Sequence, residues 1–596
     1  MNFTTRPEIS GTFGVVSSTH WIASSVGFGI LEKGGNAFDA AVATGFTLQI
    51  VEPHLNGPAG EFPAIFYSEK NKKTEVLCAQ GTAPGAASID HYKSEGLSIV
   101  PGSGLLATVI PGAFDGWMCL LRDYGLLSLR EVLEPAIYYA RNGHPLLPRV
   151  ADTISGLSDF FLKEWPSSAK TWMPYGAVPK GGHLFKNEVL SNTYSKILSE
   201  AEKTTDRNSQ IEIARNTWSK GFVAEYIDEF IRENEVMDSS GSRHKGVLTA
   251  EDISGWEATY EKPLTYDYHG WSVKKTGPWG QGPALLQCLS LLKDLDLSSL
   301  DPNGSDFIHL VVEAMKLAFA DRETYYGDPN AVSVPMEKLL SEEYVRDRVK
   351  LLSNEASFEQ RATPIKGYET LVTKMVERAS VFAEASGTPD AGEPTMAHLS
   401  EKRGDTVHID SIDRWGNMVS VTPSGGWLQS SPIIPKLGFS LNSRAQMFWL
   451  DKGLNQSLAP GRRPRTTLSP SLAQHINGSS MVFGTPGGDQ QDQWQLIMFL
   501  RHVHHGLNLQ EAIDAPLFHT QHMNSSFFPR SAFEGNMVAE TTFGKNILNE
   551  LRSRGHIVNE VEEWTVGRLT AASRSNSGLL KAAATPRLMQ AYAIGR

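Results

Sequence analysis

Cysteine is nearly absent from this chain of 596 residues: Cys78, Cys119 and Cys288 are its whole complement. An odd, sparse set of three supports no disulfide framework, and no metal-ligand spacing joins them. Long apolar runs are missing too. No segment approaches the roughly 20 residues that span a bilayer. The start, MNFTTRPEISGTFGVVSS, lacks the basic residues and apolar stretch of a secretory signal. Positive charge is in short supply: the formal net charge is −11, which leaves no broad basic surface for nucleic acid. These absences point to a soluble protein, expected in the cytoplasm, with neither nucleic acid nor membrane among its partners. What is present is material for a large core, 40% hydrophobic residues in a chain too long for one ordinary domain.

The first hundred residues read as α/β. ASSVGFGILEKGGNAFDAAVATGFTLQIVEP predicts two helices about Gly34–Gly35, the second starting near Asn36, with Ala40, Ala41, Ala43 and Phe46 on a closely packing face. FPAIFYSE and TEVLCAQG predict strands, and residues 127–144 an amphipathic helix with a Gly near its end. Residues 145–350 are expected to be mostly helical. Residues 384–405, rich in Gly, Pro, Ser and charge, hold little to bury and are expected to be exposed. Strand patterns resume directly after them. His502, His504 and His505 fall at a predicted helix C-terminus, where histidine is common, and are not read as a metal site.

The stretch TVHIDSIDRWGNMVSVTPSGGW begins at Thr406. Two strands joined by DRWGN form a hairpin, with Asp413, Gly416 and Asn417 as turn residues. Pairing Ile412 with Met418 sets Thr406 opposite Ser424, with Thr422 close by. A threonine at the junction of a polar segment and a strand has a chemical use. Cleavage of the Asp405–Thr406 bond would free an α-amine with a pKa of about 7.7–8.0. That amine can act as general base for the threonine's own hydroxyl. On this stretch alone the plainer reading, a β-branched strand residue, is favoured.

Later segments shift the balance. SSMVFGTPGGDQQDQWQLIMFLRHVHHG predicts strand, Gly-Gly turn and helix, with Asp489 as N-cap and Trp494, Ile497, Met498 and Leu500 on the apolar face. Backbone N–H groups at Gly487 and Gly488 can turn towards an oxyanion. GRRPRTTLSPSL offers the neighbouring hydroxyls of Thr466 and Thr467. LNSRAQMFWL carries Arg444, suited to a carboxylate, two residues after Asn442. Each of these reads by itself as a loop, a tight turn or an ion pair.

Taken together, the segments resemble the gamma-glutamyltransferase family of N-terminal nucleophile hydrolases. GGNAFDAAVATGFTLQIVEP (34–53), GTAPGAA (81–87), VIPGAFDGW (109–117), DTVHIDSIDRWGN, RRPRTTLSPS, GTPGGD and AIDAPLFH (512–519) keep the family's order. The resemblance implies an α/β fold, the four-layer αββα sandwich, built by fragments 1–405 and 406–596 as one intertwined unit. It implies Thr406 as nucleophile, Ser424 as the hydroxyl bonded to it, and Gly487 and Gly488 as the oxyanion pair. Thr422, Asn442, Arg444, Thr466 and Thr467 are the substrate-facing set. No metal or organic cofactor is implied. The fragments are expected to stay associated, as one heterodimer or a dimer of heterodimers.

Three positions depart from the family pattern: Ile89 stands for the arginine that grips an α-carboxylate, Gly426 for an asparagine, and NSRAQMF for an acidic segment. The departures resemble the branch containing glutaryl-cephalosporin acylases. The expected substrate is a small acyl amide, gamma-glutamyl or another dicarboxylic mono-amide, cleaved by hydrolysis or by transfer to an amine. A glutaryl-type acylase without gamma-glutamyl specificity is the alternative among enzymes. An uncleaved, inactive binding protein is the alternative outside them.

Overall fold

Two seven-stranded sheets, antiparallel throughout, carry the architecture. The computed structural model describes residues 3–382 and 406–596. The first sheet runs, in spatial order, Tyr592–Gly595, Gly14–Ser18, Ile409–Asp413, Met418–Val421, Phe62–Ser68, Lys73–Ala79 and Thr259–Glu261. The second runs Ile9–Gly11, Leu580–Ala584, Thr570–Arg574, Ser480–Gly484, Ser471–His475, Trp271–Lys275 and Leu264–Tyr268. Each sheet draws strands from both sides of position 406. Residues 384–405, expected to be exposed, and Asp405 with them, lie outside the described residues.

The alternation of side chains explains the layering. Val15, Ile65, Ile412 and Met418 from one sheet meet Leu472, Val482, Ala572 and Ala582 from the other. The opposite face of the first sheet, with Val16, Ile409 and Val421, packs on the helices Ala37–Val51 and Ala113–Tyr124. The outer face of the second, with Ala473, Phe483 and Ala571, packs on Pro283–Leu292, Ser305–Tyr325 and Gln491–His505. This is the four-layer αββα sandwich.

Local sequence accounts for the helix Ala37–Val51, which packs on the first sheet. Asn36 Oδ1 accepts from the N–H groups of Phe38 (2.9 Å) and Asp39 (3.1 Å), and Asp39 Oδ2 accepts from Asn36 N (2.9 Å). That reciprocal cap fixes the start. All of Ala37–Val51 is buried, which the run of small residues permits. The mostly helical middle also holds the hairpin Leu264–Tyr268 and Trp271–Lys275, which sequence reading missed. Its signal was the alternation in LTYDYHGWSVKK about the turn His269–Gly270. The three cysteines are buried and unpaired. No helix among the described residues is long and apolar enough to cross a membrane.

Candidate active site

Thr406 precedes the strand Ile409–Asp413 and is fully buried. The hairpin has the expected register: Ile412 pairs with Met418 and Ile409 with Val421. Val407 N donates to Pro423 O at 3.0 Å, which extends the pairing towards the strand's head. Thr406 Oγ1 donates to Ser424 Oγ at 3.3 Å. Period-two alternation puts Thr406, His408, Asp410 and Ile412 on one face. Ile412 belongs to the core between the sheets, so Thr406 faces that interior as well.

The same face carries a polar column. His408 Nδ1 meets Thr422 Oγ1 at 2.9 Å, and His408 Nε2 meets Asp410 Oδ1 at 3.1 Å. Asp410 also accepts from Ser420 Oγ (2.9 Å) and, across the sandwich, from Thr570 Oγ1 (2.7 Å). His408 and Asp410 were missed in the sequence. Polar residues at 406, 408 and 410, alternating with Val407 and Ile409, were the signal. The Thr422 hydroxyl is taken by His408, so it braces the strand. This is where the structure places the residue expected to face a substrate.

The second sheet brings the Gly-Gly turn to the same end. Phe483 O accepts from Ser420 Oγ at 3.3 Å, beside Asp410. At the next residue, Gly484, a Cβ would lie 2.1 Å from the His408 ring. The chain therefore advances from the level of Asp410 past His408, in the direction of Thr406, before it turns at residues 485–488. Gly487 has φ 128° and Gly488 φ 57°. Asp489 is not the N-cap of the following helix. Gln490 takes that place, without a side-chain cap. The Asp489 carboxylate instead pairs with Arg322 at 2.6 Å and accepts from Ser526 N at 2.8 Å. Burial alone would raise its pKa, but Arg322 and Arg465 hold it below the usual carboxylate range.

The remaining candidates divide. Asn442 uses its whole amide on the backbone. Nδ2 donates to Ala59 O (3.0 Å) and Val109 O (2.9 Å), while Oδ1 accepts from Val109 N (3.0 Å) and Arg444 N (3.2 Å). In this way Asn442, expected to meet a substrate, braces two loops. Arg444, expected to meet a substrate carboxylate, meets Glu61. Nε and Nη2 lie 2.7 and 2.6 Å from Glu61 Oε1, and both residues are buried. Glu61 in turn pairs its backbone with Ser424 in both directions. Burial pushes the Glu61 carboxyl above the usual carboxylate range, and Arg444 offsets only part of that rise. Thr466 is anchored through its N–H to Trp279 O at 2.8 Å, and its Oγ1 accepts from Leu468 N at 3.2 Å. The Thr467 hydroxyl is buried with no protein partner among the described residues. Ile89 is also buried, in an apolar cluster with Ala445 and Phe448.

The buried pair leads to a stability prediction. Arg444→Ala strands the Glu61 carboxyl without its cation and is expected to cost about 3–5 kcal/mol. Adding Glu61→Gln should recover much of that loss. Thermal inactivation of the two variants checks it, and a single variant as stable as wild type would deny the pair this role.

His502, His504 and His505 do fall in the last turn of Gln491–His505. Burial holds all three below the usual histidine range, and none belongs to the group of candidate metal ligands found among the described residues, His309, Glu313 and His556. In that group Lys316 Nζ already lies 2.7 Å from Glu313 Oε1.

Comparison with known proteins places this geometry. The sequence model described as gamma-glutamyltranspeptidase matches residues 23–595. The solved structure of LmbA2991HD superposes with a TM-score of 0.93 at 48% identity, covering 100% of each chain. The cephalosporin acylase from Bacillus halodurans superposes with a TM-score of 0.81 at 26% identity, over 100% of this chain and 97% of that one. A glutathione hydrolase proenzyme from Bacillus subtilis (strain 168) is 28% identical over 554 residues, 92% of this chain and 85% of that protein. The chain thus belongs to the gamma-glutamyltranspeptidase family, as a hydrolase or acyltransferase of the N-terminal nucleophile type.

Proposed function

We propose that the protein cuts its own Asp405–Thr406 bond and then cleaves a dicarboxylic mono-amide through an acyl-threonine intermediate. The observation that carries this is Thr406 at the head of a buried hairpin, facing the space between the sheets, with Ser424 at 3.3 Å. The free amine of Thr406 takes the proton of its own hydroxyl as that hydroxyl attacks the amide carbon. Ser424 orients the hydroxyl. The N–H groups of the Gly487–Gly488 turn receive the developing oxyanion, each worth about 2.7–4 kcal/mol in such sites. The C–N bond breaks, the amine leaves with the proton, and water or a second amine releases the acyl group.

Thr466 and Thr467 hold the far end of the acyl group in this reading. The Thr467 hydroxyl supports it, because a buried hydroxyl left without a partner costs about 1–3 kcal/mol and a substrate carboxylate would relieve that cost. Two observations favour a glutaryl-type acyl group over gamma-glutamyl. Ile89, at the sequence position where the family resemblance puts the arginine for an α-carboxylate, is an apolar residue in an apolar cluster, and the Arg444 charge is matched by Glu61. The relatives named as a cephalosporin acylase and a glutathione hydrolase span both alternatives. Hydrolysis of glutaryl and gamma-glutamyl anilides should differ in kcat/KM by tenfold or more in favour of glutaryl, about 1.4 kcal/mol. Equal rates, or a preference for gamma-glutamyl, would reverse the assignment. Mass spectrometry of the trapped enzyme should find the acyl group on the fragment that begins at Thr406.

A further inference from the structure

Four buried side chains and the half-buried Asp489 close a ring behind the proposed oxyanion turn. Arg322 Nη1 contacts Asp489 Oδ1 at 2.6 Å. Ser526 Oγ donates to that same oxygen at 2.5 Å and accepts from Arg465 Nη2 at 2.6 Å. Arg465 Nη1 donates to Glu323 Oε1 at 2.6 Å, and Arg322 Nη2 donates to the same Glu323 oxygen at 2.8 Å. Two guanidiniums face two carboxylates, so the ring is neutral. An arm reaches from it to the turn itself. Gln281 Oε1 accepts from Arg322 Nη1 at 2.7 Å, and Gln281 Nε2 donates to Gly488 O at 3.1 Å.

The ring joins loops that share no strand. Arg465 immediately precedes Thr466 and Thr467, and Asp489 immediately follows Gly487 and Gly488. Arg322 and Glu323 lie in the last turn of the helix Ser305–Tyr325, a rigid base. Buried charges of this kind add little net stability over apolar packing. What they supply is direction, since a guanidinium fork fixes the planes of the groups it holds. We infer that this ring is a positioning device that sets the distance between the acyl-holding hydroxyls and the oxyanion donors, with Ser526 as the link common to both. The inference rests on the reading of Gly487–Gly488 as oxyanion donors.

Ser526→Ala removes the link, and Glu323→Gln removes one charge at constant shape. In each, kcat for a glutaryl anilide should fall about ten- to hundredfold with KM changed by less than about threefold, as for other residues that orient a site from behind. The decisive readout is the affinity of an alkyl boronic acid with a terminal carboxylate, which forms a tetrahedral adduct on the threonine. It should weaken by the same factor as kcat, whereas a loss of folded protein would lower apparent kcat and leave the affinity of the folded fraction alone. Wild-type kcat in either folded variant, or a fall in kcat with boronate affinity unchanged, would overturn the ring's role. Wild-type kcat in processed Gly487→Ala would instead remove the reading beneath it. A slow Gly487→Ala together with fully active ring variants would overturn the ring alone.

Discussion

Thr406→Ala is expected to accumulate as a single 65.4 kDa chain with no measurable turnover. Both outcomes follow from one atom. In processing, the Thr406 hydroxyl attacks the carbonyl of residue 405, the acyl group moves from nitrogen to oxygen, and water cleaves the resulting ester. In turnover the same oxygen attacks the substrate, with the freed amine as its base. On the same face of the strand, the described imidazole of His408 has both ring nitrogens engaged, by Thr422 and Asp410, so the freed amine is the base this reading assigns. Loss of the nucleophile in hydrolases of this kind costs on the order of 10⁴-fold or more. The substitution removes only a hydroxyl and a methyl from a site anchored by Val407 and Ser424 through the backbone, so the fold should persist. A denaturing gel and intact-mass measurement read the first outcome, and anilide hydrolysis reads the second. Normal two-chain material from the mutant would take the nucleophile role from Thr406. If the wild type itself runs as one uncleaved, inactive chain, the protein works as a binding protein instead.

The part of this site legible in the sequence is the part made by neighbours. The Thr406–Ser424 pairing follows from two buried strands and a short turn, because a one-residue slip would turn Ile412 and Met418 out of the core. The cap at Asn36 and Asp39 is likewise local. Contacts between distant segments were not legible. Arg444 finds Glu61 across 383 positions, and nothing near Arg444 in sequence announces that partner. The same limit misassigned Asp489. A helix N-cap offers a carboxylate neutral N–H groups, but the guanidinium of Arg322, 167 positions away, offers a charge-assisted bond in a buried setting. The partners of Asn442 and Thr422 were not legible either: the Asn442 amide meets the backbone of Ala59, Val109 and Arg444, and the Thr422 hydroxyl meets His408.

Gly487→Ala should leave a folded, processed enzyme whose kcat is lower by about 10²–10³-fold, the loss typical of one missing oxyanion donor. Two independent constraints meet at this residue. Its φ of 128° lies where residues with a side chain rarely go. A Cβ there would also sit 2.3 Å from Cζ3 of Trp494, a fully buried ring. The turn must therefore shift to accept even a methyl group. The carbonyl of Gly488 is held by Gln281, and Asp489 is held by Arg322 and Ser526. The displacement thus falls on the peptide units between Thr485 and Gly488, whose N–H groups are the proposed donors. The proposed function assigns ground-state binding to Thr466 and Thr467, on another loop, so KM should change little. Single-turnover mass spectrometry should show slow acylation of Thr406 at an unchanged substrate affinity. Enlarging the space with Trp494→Leu in the Gly487→Ala background relieves the clash but not the φ constraint, and is expected to restore part of the rate. Wild-type kcat in processed Gly487→Ala would show that the turn does not stabilise the oxyanion. A KM that rises while kcat holds would place Gly487 against the bound acyl group instead.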